Sequence, residues 1–338
     1  MSAGAGPRQA HQPADFRLCV APMMDWTDRH CRVFHRLLAP NARLYTEMVH
    51  AQAVIHGDRA RLLDFDASEH PLALQLGGSD PVHLAQATRI AADWGYDEVN
   101  LNVGCPSDRV QAGRFGACLM REPALVADCV AAMAAATALP VTVKCRLGVD
   151  ELEDYGVFRD FIDTVAAAGC GVFAVHARKA WLQGLSPKEN RDIPPLRYDW
   201  VYRLKRERPE LLIVLNGGLA TVEDGVAALD QVDGVMIGRA AYHEPYRLHL
   251  MELAMFTPGQ VPRERAELLR ALRPYIEACR ARGVALKHIT RHLLGLFHGQ
   301  PGGRAYRQVL SEGAPQRDAG WELVERALAV TARSPEAA

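Results

Sequence analysis

The 338-residue chain has no run of about 18 apolar residues, so nothing in it reads as a membrane span. It has no Cys-x-x-Cys pair, and none of its eight cysteines is spaced with histidine as zinc ligands are. That leaves a metal site and a disulfide framework without a signature, and the pattern is one of reduced thiols in a cytosolic protein. No Gly-x-Gly-x-x-Gly follows the first apolar run, which argues against an open dinucleotide-binding sheet. An excess of one charge is also missing: the net charge is −1, so the chain as a whole is not an electrostatic nucleic-acid binder. Residues 1–16 are rich in Gly, Ala, Pro and Gln and lack the apolar core of a signal peptide. They read as a disordered tail, as do residues 333–338.

What is present is a repeated alternation. Short apolar runs, such as Leu72–Leu76, Glu98–Val103 and Val172–His176, are each followed by a helical pattern. The helices are expected at Asp28–Leu38, Pro81–Trp94 (with Asp80 as cap), Pro123–Thr137, Tyr155–Ala168, Tyr198–Arg206, Thr221–Leu229 and Ala240–Met255. Eight such units over residues 17–257 suggest an α/β protein, a (β/α)₈ TIM barrel with near-continuous apolar strands. After Pro258-Gly259 the strand pattern stops. Residues 258–332 read as an all-helical domain, with helices at Pro262–Arg282 (broken near Pro274), Ala285–Phe297, Gly302–Ser311 and Asp318–Val330. From Thr257 onward there are 13 Lys and Arg against 8 Asp and Glu. This basic stretch on an acidic body suits a polyanionic partner or an ordinary Arg-rich surface.

Barrel sites form at the C-terminal ends of the strands. The fourth apolar run ends in Gly104-Cys105-Pro106, which continues neither strand nor helix, so a thiol is left on a turn. Asn100 and Asn102 lie on one face of that strand. Such a thiol is either a candidate acid or nucleophile, or a small buried cysteine. Asn216-Gly217-Gly218 after strand seven and Gly238-Arg239 after strand eight stand where barrels hold a phosphate. Lys144 and His176 end neighbouring strands. A buried Lys there suits an anionic reduced flavin, a Schiff base, or an ion pair with an acid such as Glu47.

Together APMMDWTDRHCR, LQLGG, NLNVGCPSDRVQAGRFGACLM, VTVKCRLG, His176-Ala177-Arg178, LNGG and VMIGRAAY resemble the tRNA-dihydrouridine synthases in order and spacing, from about residue 18 to 310. The stretch from Gly184 to Arg197 resembles the A subgroup, which modifies uridines 20 and 20a of the tRNA D-loop. The resemblance implies an FMN barrel reduced by NADPH, with tRNA as partner. Pro22, Met23 and Met24 would line the flavin, and Gln75, Lys144 and His176 would hydrogen-bond it. Asn216, Gly217, Gly218, Gly238 and Arg239 would hold its phosphate. Asn102 and Arg178 would position the uracil, and Cys105 would be the general acid. Contacts to tRNA are expected from Lys188, Glu189, Arg191 and Arg197 in the long loop and from Arg291, Arg304 and Arg307 in the helical region. A flavin barrel acting on a free pyrimidine and a non-catalytic tRNA-binding protein are the alternatives.

Overall fold

Eight strands close into one all-parallel barrel in sequence order. They are β1 Leu18–Val20, β2 Arg43–His50, β3 Leu72–Gly77, β4 Glu98–Val103, β5 Val141–Arg146, β6 Val172–His176, β7 Leu212–Asn216 and β8 Gly234–Ile237. The computed structural model describes residues 12–332. Of the tails expected at 1–16 and 333–338, residues 1–11 and 333–338 lie outside the described residues. Among the described residues no helix is long and apolar enough to cross a membrane.

The connecting helices follow the apolar periodicity and its punctuation. Pro81–Trp94 starts on Asp80, whose carboxylate accepts the Val82 and His83 N–H groups, and stops at left-handed Gly95. Two helices divide, one of them at the break expected near Pro274. Pro245, with no N–H to donate, divides the last barrel helix into Arg239–His243 and Tyr246–Phe256. The first helix of the C-terminal region divides at Leu272 into Arg265–Ala271 and Arg273–Ala281.

One expectation fails further. The helix read over Ala285–Phe297 is helical only at Lys287–Thr290. Beyond it, His292, Leu293, Leu296 and His298 donate to carbonyls three residues back, as in 3₁₀ turns. The apolar spacing was real, since Leu286, Ile289, Leu293 and Leu296 are all buried. The tighter path brings Gly295 onto the His243 carbonyl, where a Cβ would sit at 2.2 Å. It also carries Arg291 and His292 to Asp28, which caps helix Arg29–Leu38 (Nη2 to Oδ2 2.5 Å, Nε2 to Oδ1 3.0 Å). The C-terminal helices are thereby fastened to the first helix of the barrel.

Residues 12–16 also differ from a disordered tail. Pro13–Phe16 forms a 3₁₀ turn, and Phe16 is buried against Cys19, Tyr45, Val172 and Met236, closing the floor of the barrel. The Arg43 guanidinium lies 4.5 Å from its ring centroid.

The barrel interior is apolar on one side and polar on the other. Between β3 and β5 a single hydrogen-bonded chain runs up the inside. Thr142 Oγ1 donates to Glu98 (2.5 Å), Asn100 Nδ2 to Thr142 Oγ1 (2.8 Å), Gln75 Nε2 to Asn100 Oδ1 (2.8 Å) and Asn102 Nδ2 to Gln75 Oε1 (2.8 Å). At the floor Glu98 also accepts from Arg43 (3.1 Å) and Tyr45 (3.0 Å). Every member has a partner, which is the condition under which buried polar groups rigidify a core rather than weaken it.

Candidate active site

The polar chain ends at Cys105. Asn102 Oδ1 accepts the backbone N–H of Gly104 (3.1 Å) and of Cys105 (3.0 Å). The Cys105 carbonyl accepts from Ala117 N (2.9 Å). That contact needs glycine at position 116, where φ is +77° and a Cβ would lie 2.5 Å from the Cys105 oxygen. The turn is therefore held through its backbone, whereas among the described residues the thiol's one hydrogen-bond contact is with Ser107 Oγ, at 3.4 Å. Six of the other seven cysteines are buried, and Cys118 donates to the Phe115 carbonyl (3.2 Å). Asn102, expected on the uracil, has both ends of its amide engaged inside the protein.

Lys144 stands beside Asn102 in the β4–β5 register and donates to Asn216 Oδ1 (2.9 Å), while Asn216 Nδ2 donates to the Met236 carbonyl (2.7 Å). Burial, and then Arg146, push the Lys144 ammonium down to about 8. Among the described residues no carboxylate pairs with it, so the ion pair with Glu47 is not formed; Glu47 instead accepts the Asp25 N–H (2.5 Å). His176, between Arg146 and Asn216 in register, is held well below its ordinary value by burial, Arg146 and Lys144, so it stays neutral at pH 7.

Gly217 and Gly218 both have positive φ, +104° and +72°. A Cβ on Gly217 would meet the His176 ring at 2.4 Å, and the Tyr198 hydroxyl donates to the Gly217 carbonyl (2.5 Å). Across the mouth, Met23 Sδ is 3.6 Å from where a Gly238 Cβ would be. Pro22 and Met23 are half-buried after β1, and Met24 is 51% exposed.

The remaining cations are less free than expected. Arg239 pairs with Asp192 (2.7 Å), so its side chain is turned to the long loop. Arg178 donates to the Pro194 carbonyl. Arg197 pairs with Asp199 (3.1 Å), and Arg291 is spent on Asp28. Glu189 folds back to accept the Ser186 N–H (2.8 Å). Arg191 lies near Arg239 at the mouth, and burial followed by that neighbour lowers its pKa. Lys188, Arg304 and Arg307 are exposed and form no salt bridge among the described residues. Arg304 and Arg307 lie on helix Gly303–Gly313, on the C-terminal helices rather than on the barrel.

Arg146 carries no expected role, although it stands two residues after Lys144. Fully inside the protein, it donates to the carbonyls of Gly104, Lys179 and Asn190, each at 2.9 Å. An Arg next to a barrel Lys was the only sequence signal, and its three acceptors are distant in the chain.

Comparison with known proteins agrees with this geometry. The family model described as dihydrouridine synthase matches residues 19–332. A "tRNA-dihydrouridine(20/20a) synthase" of Xanthomonas campestris pv. campestris is 72% identical over 321 residues, 95% of each chain. Proteins of the same name from Xylella fastidiosa (strain Temecula1) and Shewanella oneidensis are 68% and 56% identical, over 94% and 93% of this chain and 95% and 93% of theirs. Among solved structures, an old yellow enzyme homologue from Zymomonas mobilis shares the barrel fold, with TM-score 0.52, 14% identity, and coverage of 74% of this chain and 91% of that one. The chain belongs to the dihydrouridine synthase family, alongside its 20/20a members.

Proposed function

We propose that the protein reduces uridines 20 and 20a of the tRNA D-loop to 5,6-dihydrouridine, with FMN as flavin and NADPH as reductant. The fit to a flavin rests on residues of this chain. Lys144 is a half-buried cation that pairs with no carboxylate among the described residues, as a site that receives an anion requires. Gly217 and Gly218 leave bare backbone at the end of β7 beside His176. Gln75 keeps a second amide hydrogen, and Asn216 holds the Lys144 ammonium in place. Bound there, the flavin supplies hydride to C6 of the uracil.

Hydride addition leaves the electron pair on C5, conjugated to the C4 carbonyl, and one proton completes the product. Cys105 delivers that proton to C5 from its thiol. Lys188, Arg191, Arg304 and Arg307 hold phosphates of the tRNA and offset the few kcal/mol needed to unstack the base. Buried Arg146 and Lys144 keep the mouth positive towards the polyanion.

The observation that carries the reading is the thiol of Cys105, held only by a long contact to Ser107 Oγ (3.4 Å) on a turn whose backbone is fixed on every side. The test is mass spectrometry of nucleosides from unmodified tRNA incubated with the protein and NADPH. A gain of two hydrogens on D-loop uridines is expected. With Cys105→Ala it should collapse, while flavin and tRNA binding persist. Near-normal turnover by that variant would remove the general-acid role. No gain with wild type, in the presence of reducible flavin, would remove the tRNA substrate.

A further inference from the structure

Three successive carbonyls, those of Gly104, Cys105 and Pro106, are each bound by a donor. The Cys105 carbonyl is held locally, by Ala117. Each of the two flanking ones shares its donor with the long loop after β6. Arg146 joins Gly104 O to Lys179 O and Asn190 O (2.9 Å each). Gln111 Nε2 joins Pro106 O (2.8 Å) to Leu182 O (2.7 Å). Asn190 is itself the internal clasp of that loop. It is fully buried, accepts Trp181 N (2.7 Å), and donates to the carbonyls of Trp181, Leu185 and Ser186 (2.9, 3.1 and 3.3 Å). Lys188 and Arg191 stand on either side of it in sequence.

A buried guanidinium satisfied by carbonyls alone is an expensive way to hold a loop unless its position matters. Here it spans two segments that follow different strands, the turn after β4 and the long loop after β6. The second tie repeats the arrangement on the other side of the thiol with an uncharged side chain.

We propose that Arg146 and Gln111 are positioning residues that couple the loop 179–191 to the Cys105 turn, so that the loop's grip on tRNA sets the general acid in place. This rests on the functional reading above, in which Lys188 and Arg191 contact tRNA and Cys105 gives the proton. A shift of the loop under its load of phosphates is passed to the carbonyls on both sides of Cys105, and a displacement of about 1 Å at a reacting group can cost a hundredfold in rate.

The experiment uses the flavin-loaded full chain and unmodified tRNA. It compares wild type, Gln111→Leu, Lys188→Ala and the double variant, with Arg146→Lys as a further probe of the buried tie. The readings are kcat and KM for tRNA, and separately the rate of flavin reduction by NADPH. Gln111→Leu should lower kcat about tenfold or more, with KM and flavin reduction unchanged. In its background Lys188→Ala should lose less kcat than it does in wild type, because the link it acts through is already cut. Unchanged kcat in Gln111→Leu, a rise confined to KM, or full additivity of the two substitutions would overturn the coupling. If wild type forms dihydrouridine and the cycle is additive, only the coupling falls. If wild type forms none, the functional reading falls and takes the coupling with it.

Discussion

Replacing Lys144 with methionine should make the flavin-free protein more stable. The ordinary lysine value is 10.5, and burial with Arg146 beside it brings Lys144 to about 8. That gap corresponds to about 3 kcal/mol of cost in the folded state. Below pH 8 the ammonium is charged in both folded and unfolded chains, so the cost is fully present. Between pH 8 and 10.5 the folded chain has given up the proton and the unfolded chain has not, so stability rises with pH across that window. Methionine removes this cost but leaves Asn216 Oδ1 without its donor, a loss of about 1 kcal/mol. The balance at pH 7 is a gain of roughly 2 kcal/mol, or about 4 °C in melting temperature. Thermal melts of flavin-free wild type and Lys144→Met at pH 7 and pH 9.5 would check it. The variant should melt higher at pH 7, and most of the difference should be gone at pH 9.5. A variant that melts at or below wild type at pH 7, or a difference equal at both pH values, would refute the argument. On the proposed reading the same variant should also retain less flavin, because the stability it gains comes from removing a charge assigned to the cofactor.

Gly217→Ala forces a side chain onto the His176 ring at a φ of +104°. Purified protein should carry a small fraction of the wild-type flavin, read as absorbance released on denaturation, with a stability loss of about 1–3 kcal/mol. Arg304→Ala and Arg307→Ala remove exposed cations with no partner, so each should weaken tRNA binding without changing the modified position. Each should also flatten the plot of log affinity against log salt by about 1. Asp28→Ala removes a helix cap and the acceptor for both Arg291 and His292, and should cost about 2–4 kcal/mol by denaturant melting. Burial opposes the Asp28 charge, but hydrogen bonds from His292, the Cys31 N–H and Arg291 outweigh it and hold the carboxyl well below its ordinary 3.8. Its contribution is thus complete above about pH 5 and fades as pH falls below 3.8.

The barrel was legible because each strand is a short apolar run closed by Gly, Pro or a polar residue, and parallel sheets bury both faces. β4 and β6 begin and end where the sequence places them. The positions of the candidate residues were legible for the same reason: Lys144 and His176 lie at or near the ends of such runs, and Cys105 and Gly217 just after them. What was not legible depends on partners remote in sequence. Asn100 and Asn102 share a face, but nothing local says that Gln75 lies between their amides. Arg146 looks like an ordinary basic end to β5 until Gly104, Lys179 and Asn190 surround it. The cations were over-read, since composition does not show that Arg291 is taken by Asp28, Arg197 by Asp199 and Arg239 by Asp192. The 3₁₀ path after Thr290 was hidden because buried leucines three and four apart suit both helix types.

On the proposed reading, the polar chain inside the barrel and the thiol at its end answer opposite needs of one reaction. Every donor from the Cys105 N–H down to Thr142 points the same way, and the sequence of bonds ends on Glu98, which Arg43 neutralises. Reversing one amide would set donor against donor, so the orientation of the whole chain is fixed by its charged end. Rigidity of this kind holds the Cys105 backbone without touching the sulfur. A proton donor to carbon needs that combination: a fixed base, so that the approach to C5 is reproducible, and a rotatable thiol that can withdraw when the non-planar product leaves. On the proposed reading, a donor locked firmly through its sulfur would gain order and lose the proton transfer; here the chain holds the Cys105 backbone, and the sulfur has a long contact to Ser107 Oγ (3.4 Å).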